Sequence, residues 1–314
     1  MRQFTLAALI LLAASFLLAA DKPVATLQLP CESRYQDLSP SGNQLAVHCK
    51  GGALHLLELP GGVEQRVFPP DQHSHTTVYS QDGNWLAFGF EDGTVEVVSA
   101  NGNGAPKRWK PSSRRIDVLN FFPDSKSIVV GPLGSSAEIW DIAGAPTLRA
   151  QLPFAFGGLS DSAISPDGKV LVLAGDDTVL RWYDTVSWKL LKQNKDFLLE
   201  TFSVSFTPDG KQVVAGGADS RISVLDATTA KLLRQTPPEP AAYVGGLLVA
   251  GNRVASLYYD AAGEKPPHVL IWELAAFNSP PTANTRLLSC GNRVHDKLWV
   301  CYTDGQTLTV SQYE

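Results

Sequence analysis

The sequence predicts an all-β protein, a seven-bladed β-propeller of four-stranded antiparallel blades. Three observations carry this prediction. A turn centred on Ser41, Asp82, Asp124, Asp167, Asp209, Asn252 and Asp296 recurs at gaps of 41, 42, 43, 42, 43 and 44 residues. Short apolar or alternating runs flank each turn, and no long helical pattern interrupts them. An extra strand, Val24 to Leu29, precedes the first unit, while the last unit stops after its third strand. Four short strands cannot bury themselves, so units of this size need neighbours of their own kind. A ring of them leaves no exposed end, and Val24 to Leu29 is expected to close it as the outermost strand of blade seven.

The elements follow in order. In blade one, Arg34 to Leu38 turns at Ser39-Pro40-Ser41-Gly42 into Leu45 to Cys49. Gly51-Gly52 leads to Leu54 to Leu59, and Pro60-Gly61-Gly62 leads to Gln65 to Phe68. Blade two repeats this with Thr76 to Tyr79, Trp85 to Phe88 and Thr94 to Ser99. Blade three has Val118 to Phe122, Ile128 to Val130 and Ala137 to Asp141. Blade four has Ser162 to Ser165, Leu171 to Ala174 and Val179 to Asp184. Blade five is the most regular: Pro208-Asp209-Gly210 is a tight turn in which proline presets φ and glycine accepts the left-handed conformation. Its residues Phe206, Val213, Val214, Ile222 and Val224 are expected in the core. Blade six runs through Gly246 to Ala250, Val254 to Tyr259 and Val269 to Glu273. Blade seven starts with Arg293-Val294-His295 and continues through Leu298 to Cys301 and Thr307 to Tyr313.

Residues 1–20 read as an export signal: a basic start, an apolar run from Phe4 to Ala20, then Asp21 and Lys22. A retained membrane anchor is the second reading, although the run is slightly short for a span. Residues 21–314 then form one propeller domain. A net charge of −5 and 18% charged residues disfavour a general nucleic-acid binder. Four cysteines in an exported chain point to disulfides and to a periplasmic or secreted location.

The units resemble WD40-like repeat propeller blades. Third strands end in Ile139-Trp140-Asp141, Trp182-Tyr183-Asp184, Val224-Leu225-Asp226 and Ile271-Trp272-Glu273. The preceding turns carry Asp92, Asp177, Asp219 and Asp304, which look like the family's structural aspartate. The Gly-His dipeptide typical of each WD unit is absent. The resemblance, taken with the leader, implies an exported protein of the bacterial periplasmic type. It also implies that first strands begin, and second strands end, on one face of the ring, here called the top. Cys31 and Cys49 then flank the first hairpin of blade one, and Cys290 and Cys301 that of blade seven. The pairs Cys31–Cys49 and Cys290–Cys301 are expected, with the two other pairings open, one of which would staple blade one to blade seven. Trp140, Trp182 and Trp272, with Trp85, Trp188 and Trp299, are expected as packing between blades.

No catalytic residue, metal ligand or cofactor site emerges. His73-x-His75 beside Asp71 is the only close histidine pair, and solvated loop histidines explain it better than a metal. Aspartates repeated in every blade cap their own turns. No nucleophile elbow, phosphate loop or zinc-protease motif is present. The sharpest feature is Lys107-Arg108-Trp109-Lys110 followed by Arg114-Arg115, on the outer strand of blade two and the loop entering blade three. With Phe154 and Phe156, on the loop entering blade four, these residues make candidates for a protein interface. Tyr243 and Arg253 are weaker candidates. The favoured function is a non-catalytic scaffold that binds another exported or envelope protein through the top face. The alternatives are a propeller hydrolase or lactonase with a polar or metal site at the channel, and a carbohydrate or small-ligand binder.

Overall fold

The computed structural model describes residues 22–68, 74–154, 156–264, 267–277, 281–284, 287–291, 298–304 and 307–313. The expected export signal at 1–20 lies outside them, as do Asp71, His73 and the side chain of His75. Among the described residues no helix is long and apolar enough to cross a membrane.

Alternation and tight turns fold locally into hairpins, and successive hairpins make seven four-stranded antiparallel sheets. Blade five is Thr201–Phe206, Gln212–Gly217, Ile222–Asp226 and Leu232–Gln235 in spatial order. Blades one to four and blade six repeat that order. The seventh sheet takes three strands from the end of the chain and its outermost from the beginning: Lys22–Gln28 pairs antiparallel with Thr307–Tyr313, Thr26 opposite Thr309. The predicted closure is therefore the one observed. Ala25, Leu27 and Leu29 bury one side of this strand against Leu308 and Val310 and against Leu45, Val47 and Leu57 of blade one.

Two boundaries differ from the sequence reading by four residues or more. The first strand of blade seven is Leu287–Gly291, which pairs with Leu298–Asp304; residues 292–297, where Arg293-Val294-His295 had been placed, lie outside the described residues. The first strand of blade six begins earlier, at Ala242. There a side chain at Gly245 would come within 2.5 Å of the Tyr259 ring, so glycine makes room for that tyrosine to stack on Tyr243, ring centres 5.4 Å apart.

Inter-blade packing is mostly apolar, and the core residues anticipated in blade five are all buried. Burying each such side chain contributes about 1.5–3 kcal/mol. Trp182 is fully buried between blades four and five, Trp272 belongs to the cluster between blades five and six, and Trp109 and Trp140 meet between blades two and three. The indole N–H groups of Trp182, Trp272 and Trp109 find no hydrogen-bond acceptor among the described residues. This fits the missing Gly-His motif, since these tryptophans serve the fold through area rather than through a polar network.

The turn between first and second strands is a repeated polar device. In blade four Ser165 donates to Asp167 while Val170 N–H donates to Ser165; Thr207, Asp209 and Gln212 do the same in blade five. The Ser165 hydroxyl and then the Lys169 N–H hold the Asp167 carboxyl below its ordinary range; Thr207 and Lys211 do so for Asp209. A carboxyl depressed in the folded state stabilises the protein above the ordinary carboxylate range, and that contribution disappears as pH falls through the depressed value. We therefore expect the melting temperature to drop below about pH 4. The drop should be shallower in an Asp167→Asn/Asp209→Asn variant, and equal slopes in the two proteins would refute the assignment.

Candidate interaction face

Every first strand carries a one-residue register shift at the same place. In blade three, Ile116 pairs with Pro132 and Val118 with Gly131, leaving Asp117 outside the ladder. The equivalent residues are Arg34, His75, Ser160, Phe202, Gly245 and Ser289. A bulge re-aims the chain and adds twist. Here it delivers Asp117, Ser160, Phe202 and Gly245 to the wall of the central channel, a cavity of about 410 Å³.

The channel also holds Asp37 and Asp161, which the sequence reading missed. Both carboxylates serve blade-to-blade bonds. Asp37 accepts from the Tyr79 N–H at 2.9 Å. Asp161 is buried and accepts from the Ser203 hydroxyl and the Val204 N–H, each at 3.0 Å. Asn120 donates to the Ser162 carbonyl at 2.8 Å, and Ser203 accepts from the Leu247 N–H at 3.1 Å. Asp37 with Tyr79, Asn120 with Ser162 and Asp161 with Ser203 each lie 42 residues apart, one blade period. That spacing is the signal that could have revealed them. Asp117 is held by Arg115 Nε at 2.7 Å. Burial, and then the Asp37 charge, pushes the Tyr79 phenol well above its ordinary range.

The predicted interface residues divide into two groups. Lys107, Arg108 and Trp109 lie on the outer strand of blade two. Lys107 donates to the Ile142 and Ala143 carbonyls of blade three and lies over the Trp85 ring. Arg108 pairs with Glu96 at 3.3 Å and covers Phe90, and Trp109 is half-buried against Trp140. Lys107 and Trp109 hold the seam to blade three, while both contacts of Arg108 lie within blade two.

Arg114, Arg115 and Phe156 lie on the top. Arg114 is exposed and donates to the Leu133 and Gly134 carbonyls at 3.3 and 3.1 Å, joining two loops of blade three. Gly134 in turn touches the loop entering blade four: a side chain at Gly158 would fall 2.8 Å from the Gly134 backbone. On that same loop Phe156 is 63% exposed. Phe154 turns inward instead, packs on the core and lies under the Arg181 guanidinium at 5.2 Å. Arg181 is clamped by Asp177 at 2.8 and 2.5 Å, nearly sealed from solvent.

Sequence reasoning missed the next loop of the arc. Phe197 anchors it in the core between blades four and five, while Leu198 is 90% and Leu199 46% exposed. Beside it Phe202 meets Tyr243 edge to face, ring centres 5.8 Å apart. A Phe-Leu-Leu run entering a first strand reads as core, and which of the three faces outward depends on the neighbouring blade. Arg253, the weaker candidate in blade six, pairs with Glu273 at 2.8 Å.

At blade one, Cys31 and Cys49 form a disulfide with Cα atoms 5.7 Å apart. Cys290 and Cys301 occupy facing register positions in blade seven.

Comparison with known proteins agrees with this architecture. Residues 200–226, within blade five, match the family model "WD domain, G-beta repeat". The whole chain superposes on the whole of a chain in a solved structure described as "Crystal Structure of Mitotic Checkpoint Complex", with a TM-score of 0.76 and 16% sequence identity. This chain is similar to that protein in fold. The similarity corrects part of the sequence reading. The bacterial periplasmic type, the periplasmic or secreted location and the exported or envelope partner rested on the leader and the cysteines. The matching propeller belongs to a mitotic assembly, not an envelope one, and those assignments are withdrawn. What stands is a seven-bladed β-propeller whose fifth blade matches a WD domain model.

Proposed function

We propose that this propeller is a non-catalytic scaffold that binds another protein through the top-face arc over blades three to five. The observation that carries the reading is the outward exposure of Phe156, Leu198 and Leu199 on neighbouring loops whose anchors, Phe154 and Phe197, are packed. Loops pinned by packed anchors lose less conformational entropy on docking than unanchored ones. Arg114 and Arg115 border the arc, so the partner segment is apolar with acidic flanks. Lys107, Arg108 and Trp109 support the arc from the blade edge. The similar propeller's place in a multi-protein complex favours the same use of the fold. Asp37 and Asp161 are engaged between blades and Asp117 by Arg115, which favours a scaffold over a hydrolase. Cys290–Cys301 is proposed as a second disulfide.

The test is comparative capture with quantified affinity. Phe156→Asp/Leu198→Asp should weaken partner binding about 30-fold, the effect of losing one hot spot of 2 kcal/mol. Leu190→Asp/Leu232→Asp, on outer strands of blades four and five, should leave binding unchanged. Equal retention by all three proteins, or equal loss in both variants, would defeat the proposal.

A further inference from the structure

We propose that, when its disulfide is reduced, blade one carries a zinc-type metal site made of Cys31, Cys49 and His55. The ligand atoms of these three residues lie within 4.8 Å of one another. The topology explains why they meet. Val47 and His55 are opposite in the ladder between second and third strands, and Cys49 lies two residues beyond Val47 on the same side. Leu45, Val47 and Leu57 line that side against blade seven, and Cys31 packs on the same cluster. The site therefore sits at the ring closure, where the chain leaves the closing strand Lys22–Gln28 for blade one.

Its chemistry is selective. Two thiolates and an imidazole suit a borderline-soft divalent ion such as Zn²⁺ and disfavour Mg²⁺ or Ca²⁺. Two sulfurs bound at about 2.3 Å to one tetrahedral ion stand about 3.8 Å apart, a separation reached by rotation about the Cα–Cβ bonds once the sulfur–sulfur bond is broken. His55 is already oriented, because Glu64 Oε2 lies 2.6 Å from its Nδ1. With Nδ1–H donating to Glu64, the Nε2 lone pair is available to a metal, the usual carboxylate–histidine–metal arrangement. Cys49 is buried and the His55 side chain is 16% exposed, so the position is shielded yet reachable. Water completes the coordination.

The steps balance. A dithiol reductant supplies two electrons and two protons: the Cys31–Cys49 bond breaks, two thiols form, and the reductant becomes its own disulfide. Binding of M²⁺ then releases two protons, and two thiolates with one neutral imidazole leave the centre uncharged. The metal would replace the covalent link, holding the start of blade one to its second strand in the reduced protein.

The experiment uses the full chain with Cys290→Ser/Cys301→Ser, so that only one thiol pair remains. The protein is reduced with a dithiol, freed of it by anaerobic gel filtration, and titrated with Co²⁺. We expect one equivalent to produce a sulfur-to-cobalt charge-transfer band and the visible bands of tetrahedral cobalt, both absent from the oxidised protein. Zn²⁺ should bleach them and raise the melting temperature of the reduced form alone. Glu64→Gln should weaken binding about 10–100-fold, and His55→Ala at least as much. Reduced protein that binds no better than Cys31→Ser/Cys49→Ser, full binding by His55→Ala, or a reduced chain that stays unfolded with Zn²⁺ would each overturn the site.

Discussion

Removal of residues 22–29 should cost about 5 kcal/mol or more of stability, the largest effect expected from any short deletion. Two leucines and an alanine leave the closure cluster, and each leucine contributes about 1.5–3 kcal/mol by burial. The edge of Thr307–Tyr313 loses its antiparallel partner at the same time and becomes open to pairing with other chains. Against a total of about 5–15 kcal/mol for a typical domain, this is a large fraction. The single substitution Leu27→Ala isolates the packing part and should cost about 2–5 kcal/mol. Val24→Ala, on the same strand but 42% exposed, should cost little. Urea unfolding midpoints decide the matter: similar losses for the two substitutions would mean that the strand does not close the ring by burial.

Asp177→Ala should destabilise the protein by about 3–5 kcal/mol, because it strands the Arg181 guanidinium in a buried position. Asp177 accepts two hydrogen bonds from Arg181 and caps the Val179 N–H at 3.3 Å. Arg181 in turn lies over Phe154, so the loss propagates to the loop that presents Phe156. An Asp177→Ala/Arg181→Met variant removes both charges and should recover most of the stability. Partner binding should weaken in Asp177→Ala beyond what its lower stability explains, and recover in the double variant. Additive stability losses in this double-mutant cycle would show that the pair is not coupled.

The legible part of this protein is local or periodic. Pro208-Asp209-Gly210 makes its turn with bonds that span five residues or fewer. The closing role of Val24 to Leu29 followed from strand count alone. Phe156 could be assigned to the loop entering blade four because the order of loops around a ring follows from the period. The bulges could not be read, because an extra residue such as Asp117 is defined only against its partner strand. Nor could the fates of Phe154 and Phe156, two residues apart: one packs under Arg181 and the other points to solvent. Lys107, Arg108 and Trp109 read as interface candidates; that blade three supplies carbonyls and an indole face to hold Lys107 and Trp109 could not be read.

By itself the chain of residues determined the number of blades, the turns between their strands and the way the ring closes, since alternation, turn chemistry and spacing act over a few residues and repeat. Only the tertiary structure decided which side chains line the channel, which carboxylates lock one blade to the next and which loop residues are left facing outward. Those outcomes depend on partners about one blade period away, as with Asp161 and Ser203 at 42 residues. Contacts at that range are set by how the sheets pack rather than by any neighbouring stretch of sequence.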